Sequence, residues 1–94
     1  MFEKELMQNI KESEYKKEVL MLLFEKERTK NEMMEILNIK SLELSRILRF
    51  FKKKELITSH MSFDHHVFEY YIANDGVVLL TMLNNELNNE NSDD

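Results

Sequence analysis

Lys40, Arg46, Arg49, Lys52, Lys53 and Lys54 crowd into one short stretch in which Glu43 is the only acid. The stretch carries a local charge of +5 in a chain of formal net charge −5, which leaves −10 on the remainder. Short-range fields decide phosphate contact, so an acidic body with one basic stripe remains able to hold a polyanion. Leu44, Ile47, Leu48 and Phe51 recur at i, i+3, i+4 and i+7, the buried stripe of an amphipathic helix. That stripe turns Lys40, Glu43, Ser45, Arg46, Arg49, Lys52 and Lys53 outward, which suits a helix laid into a DNA major groove.

Each of these residue types has a definite chemistry at a groove. Ser41, Ser45 and Arg46, in the N-terminal half of this helix (residues 41–54), are placed for base edges or nearby phosphates. Arg46 suits either a bidentate pair with guanine O6 and N7 or a phosphate clamp. Glu43 suits acceptance from cytosine N4, or repulsion of phosphate in wrong registers. Arg49, Lys52 and Lys53, further along, suit the phosphate backbone. The competing reading of Lys52 to Lys54 is a solvated helix end, where cations favour the helix dipole.

A preceding helix is announced by Thr29 and Glu32, the Thr-x-x-Glu spacing of a capping box. Thr29, Lys30 and Asn31 open it, and helix N-terminal N–H groups readily meet a phosphate; capping alone also explains Thr29. Met33, Ile36 and Leu37 are expected on one buried face. The turn centres on Asn38, a residue that tolerates left-handed geometry, and Ser41 is expected to cap the next helix. Residues 29–54 thus read as a helix-turn-helix.

Four further segments complete the chain. Phe2, Leu6 and Ile10 give residues 2–12 a narrow apolar edge. Ser13 is placed to cap a helix to about Lys26, with Val19, Leu20, Leu22, Leu23 and Phe24 inward. Residues 56–73 read as a hairpin, first strand alternating Ile57, Met61 and Phe63 against Thr58, His60 and Ser62, with a turn at Asp64 to His66. A last helix over 77–87 packs Val78, Leu79, Met82 and Leu83, and residues 88–94 read as an acidic, disordered tail. The fold class is mainly α with a small β-hairpin, an α+β domain spanning residues 1–87.

This order of elements resembles the winged-helix transcription regulators of the MarR and ArsR kind. The resemblance rests on Thr29-x-x-Glu32-Met33, Leu37-x-Ile39, Leu44-Ser45-Arg46-x-Leu48, Leu56-Ile57 and Tyr70-Tyr71-Ile72-Ala73-Asn74-Asp75-Gly76. It implies a recognition helix at Leu44-Ser45-Arg46 and a wing formed by the hairpin. Two departures stand out. The family usually has Gly where this chain has Lys54 or Glu55, so one of these must accept the helix-ending conformation. The wing from Thr58 to Ile72 contains no Lys or Arg and offers His60, His65 and His66 as weak contacts.

Those histidines, with Asp64 and Glu69, have donor types that suit a transition metal. Adjacent strand residues face opposite ways, however, so they are read as surface histidines, with no metal and no cofactor expected. Their protonation would add positive charge to the wing at low pH. Phe50 falls on the face of Glu43 and Arg46, where it either shields the helix base, meets a partner subunit or stacks on the wing. Met21, Met33, Met34 and Met82 read as core fillers.

No nucleophile with a base, no phosphate loop and no paired carboxylates in a pocket appear, so no enzyme is expected. The chain has no cysteine, which excludes disulfides and thiolate metal sites. The charged start Met-Phe-Glu-Lys-Glu is unlike a signal peptide and no apolar run approaches membrane length. The expected place is the cytoplasm, on the nucleoid when bound. Regulators of the resembled kind pair through terminal helices, so Phe2, Leu6, Ile10, Leu79, Met82 and Leu83 are the expected dimerisation residues of a homodimer that reads a palindrome of double-stranded DNA. The leading expectation is a transcriptional repressor. A plasmid or phage centromere-binding partition protein is a variant of it, and a winged helix used for protein–protein interaction is the alternative.

Overall fold

The computed structural model describes residues 4–64 and 66–92, the side chains of 86–92 excepted; Phe2 and His65 lie outside the described residues. The elements run α1 (Lys4–Glu12), α2 (Lys16–Glu25), β1 (Arg28–Thr29), α3 (Lys30–Leu37), α4 (Ser41–Lys53), β2 (Ile57–Met61), β3 (Phe68–Ile72) and α5 (Asn74–Ser92). The strands form one antiparallel sheet in the order β1-β3-β2. This is the α+β winged helix expected, with one strand more than the hairpin. A two-residue strand is too short to show a sequence period, so β1 was not legible. No described helix is long and apolar enough to cross a membrane.

The expected stripe of α4 forms the centre of the core: Leu44, Ile47, Leu48 and Phe51 are all buried, beside Val19, Leu20, Leu23, Met33, Ile39, Leu56 and Ile57. Full burial of a ring such as Phe51 is worth about 1.5–3 kcal/mol. The capping box is complete: Thr29 Oγ1 accepts from Glu32 N at 3.2 Å, and Glu32 Oε1 accepts from Thr29 N at 2.9 Å. Asn38 adopts the left-handed conformation at φ 53° and closes α3.

The end of α4 resolves the missing glycine. Glu55 takes φ 62°, its N–H donates to Lys52 O at 3.0 Å, and the Leu56 N–H donates to Phe51 O at 3.0 Å. This pair of bonds is a Schellman motif with Glu55 at its left-handed position, sealed by Leu56 against Phe51 inside the core.

Several packing expectations are corrected. Ser41 does not cap α4: Lys40 holds the cap position without a side-chain bond, and Ser41 Oγ accepts from Lys30 Nζ at 2.7 Å. Ser13 Oγ does accept from Lys16 N, at 3.2 Å, at the start of α2. Phe24, Ile36 and Val78 are exposed rather than inward, because they lie off the faces that the neighbouring helices cover. The strand pattern inverts at its far end: Met61 and Phe63 are exposed whereas Ser62 is buried. The hairpin projects past the core there, so no layer covers its apolar side. Met82 is half-buried against the core.

The last helix begins at Asn74 rather than 77 and its backbone continues to Ser92; no Pro or Gly follows Gly76 to interrupt it. Gly76 lies inside its first turn. A Cβ there would sit 2.2 Å from the Leu56 carbonyl oxygen and 2.7 Å from Ile72 Cγ1, so this glycine serves close approach of α5 to the sheet.

Candidate nucleic-acid interface

Around α4, the direction opposite the buried stripe is held by Leu42, Arg46, Arg49 and Lys53, spaced at three and four residues. All four are exposed, Leu42 at 64%. Arg46, Arg49 and Lys53 are the cations expected from sequence, and the structure adds Leu42 to their stripe. The signal was available: Leu42 lies off the buried stripe, four residues before Arg46 and seven before Arg49. An apolar side chain near the N-terminus of such a helix suits the thymine methyl group.

The flanks of α4 differ. Toward the sheet, Ser45, Arg49, Lys52, Lys53 and Tyr70 line a groove of about 530 Å³. Lys52 Nζ donates to Ser59 Oγ at 2.8 Å, which ties the end of the helix to β2. Toward α2, Glu43, Arg46 and Phe50 line a second groove with Tyr15 and Lys16. Phe50 does share the face of Glu43 and Arg46, but it is half-buried: Lys16 Nζ sits 4.0 Å from its ring centroid, a cation–π contact. Phe50 therefore shields the base of α4. Burial lowers the Lys16 pKa, an effect the ring face opposes. Glu14, then burial and Glu43, raise that of the Tyr15 hydroxyl, so the acids at this mouth favour the uncharged phenol.

Thr29, Lys30 and Asn31 at the start of α3 line a third groove with Met61, His66, Val67, Phe68 and Tyr70. The Lys30–Ser41 bond joins the two helix starts, so Lys30, Ser41 and the exposed Lys40 belong to one polar edge. The structure thus gathers Thr29 to Asn31 and residues 40–53 on adjoining surfaces. His60 and His66 separate: His66, at φ 55° in the turn, faces the third groove, while His60 sits on β2, 3.3 Å from Glu27 Oε2.

The expected dimerisation residues behave differently. Ile10, Leu79 and Leu83 are buried in the chain's own core, and Leu6 packs against it partly buried.

No family model and no curated protein matches the chain. Solved structures do. A variant of S. aureus MepR superposes with a TM-score of 0.82 at 15% identity, covering 94% of this chain and 67% of that one. The adhesin competence repressor AdcR of Streptococcus pyogenes gives 0.72 at 15%, covering 90% and 64%. A Lactococcus lactis ZitR variant in complex with DNA gives 0.66 at 24%, covering 73% and 48%. The chain spans about half the length of other ZitR chains it matches, 49%. The shared fold is the winged helix, as the sequence resemblance implied.

Proposed function

We propose that the chain binds double-stranded DNA as a homodimer, with α4 in the major groove, and acts as a transcriptional regulator, most simply a repressor in the cytoplasm. The observation that carries this reading is the outward stripe of Leu42, Arg46, Arg49 and Lys53 on α4, backed by the basic groove of Arg49, Lys52 and Lys53. The opposite face of α4 is the buried stripe, and one flank is partly covered by the Lys16–Phe50 contact. The ZitR complex with DNA supports the same use of the fold.

Roles divide along the stripe. Arg46 and Leu42 are assigned to bases, Arg49 and Lys53 to phosphates, and Lys52 to phosphate after release of Ser59. Thr29, Lys30 and Asn31 supply helix N-terminal contacts. The test is fluorescence anisotropy with DNA upstream of the chain's own gene against scrambled DNA, over a salt series. Arg46→Ala should reduce the preference between the two DNAs by about 1–3 kcal/mol, the worth of a bidentate base contact, and Leu42→Ala should reduce it at a thymine. Arg49→Ala and Lys53→Ala should weaken both DNAs alike and lower the salt slope by about one each.

A protein partner is the second reading. It is favoured by the wing tip, where Met61, Phe63, Val67 and Phe68 are exposed, Phe63 at 95%, with no cation among them. Weak, salt-steep and equal binding to every DNA tried would support it.

A further inference from the structure

The three-stranded sheet carries a donor set apart from the recognition helix. Cross-strand register pairs His60 with Glu69, and Glu69 with Thr29. Glu27 lies two residues before Thr29 and so turns to the same face as Glu69 and His60. One donor atom from each of Glu27, His60 and Glu69 lies within 4.8 Å of the other two. His60 Nε2 and Glu27 Oε2 are already 3.3 Å apart. Two ligands at about 2.1 Å from one tetrahedral ion are separated by about 3.4 Å, so small rotations of the Glu69 side chain complete the geometry.

We propose that Glu27, His60 and Glu69 form a site for a divalent transition ion of the zinc class, which would bind all three segments of the sheet on the wing, one register pair from its tip. An imidazole between two carboxylates suits such an ion better than magnesium or calcium, which take oxygen ligands. A His60–Glu27 ion pair explains only part of the arrangement. Among the described residues no Lys or Arg pairs with Glu27 or Glu69. Two carboxylates then share one face without a cation. The ring of Tyr71 meets that of His60 edge-on, centroids 5.6 Å apart, and limits its rotation. Three protein ligands leave the remaining positions to water. The sequence reading drew its metal donors from the hairpin, where Glu27 does not occur; only the pairing of β1 brings it in.

The ion would neutralise the two carboxylates close to the tip of a wing that has no Lys or Arg of its own. That consequence for DNA rests on the function proposed above; the site itself does not. The test is titration of the full chain with cobalt(II) at about pH 7.5, read by visible absorption, followed by displacement with zinc. One ion per chain is expected. His60→Ala and Glu69→Gln should each weaken binding tenfold or more, since even outer-shell changes cost about 10–100-fold, and His66→Ala should leave it unchanged. Circular dichroism of each variant checks folding. Absence of cobalt binding, or binding kept in both His60→Ala and Glu69→Gln, overturns the site and leaves an ion pair only. Neither result bears on anisotropy with metal-free protein, so this site and the DNA reading fail separately.

Discussion

Glu55 holds a backbone conformation at φ 62° that costs an L-residue about 1–2 kcal/mol in the left-handed helical region. The Schellman bonds around it hold it there, and its side chain is exposed. Glu55→Gly should therefore raise stability by about 0.5–1 kcal/mol, the strain relieved less the added freedom of glycine in the unfolded chain. Urea denaturation checks this; an unchanged midpoint would mean that the turn carries no strain. At the start of α3, Thr29→Ala should cost about 1 kcal/mol. The Glu32 carboxyl is held below its ordinary value of 4.5, first by the Thr29 backbone N–H. A carboxyl with a depressed folded-state pKa contributes stability above its unfolded pKa and loses it as pH falls through the folded one. The melting-temperature difference between wild type and Glu32→Gln should be largest near neutral pH and close as pH drops below 4.5.

Elements were legible where a face is covered and illegible where coverage depends on something distant. The stripe of α4, the capping box and the left-handed Asn38 need only local spacing and a core on one side, and they stand as read. Phe24 and Met61 have the composition of core residues, yet the layer that would cover them is absent, and no local pattern reports that. Glu27 joins His60 and Glu69 only through a two-residue strand. Gly76 serves contact between elements, which no local pattern reports: the first turn of α5 rests on Leu56, whose carbonyl oxygen accepts from Ala73 N at 3.0 Å. Gly76→Ala must push a carbonyl already fixed by that bond. We expect a loss of about 1–3 kcal/mol, the range for overpacking, read as a lower thermal midpoint. Retention of the wild-type midpoint would show that α5 can shift at no cost.

At the scale of the whole molecule, one recognition helix per chain reads only a half-site, and two-fold pairing would supply the second. Of the apolar residues first expected to pair, Ile10, Leu79 and Leu83 are in the core, but another face is open. Met21 and Phe24 of α2 line a groove of about 230 Å³ with Leu80 and Thr81 of α5, and Met21 and Phe24 are 40% and 58% exposed. A two-fold interface uses the same patch on both copies, and a chain this small gains stability from such burial. Light scattering at tens of micromolar should therefore give the dimer mass for wild type and the monomer mass for Phe24→Glu, which places a like charge opposite itself across the axis. Because Phe24 lies outside the core and off α4, the variant should keep its helical spectrum while its affinity for a palindrome falls to that for a single half-site. A dimer that survives Phe24→Glu would move the interface off this groove. A monomeric wild type that still prefers one DNA sequence would make the half-site the complete target.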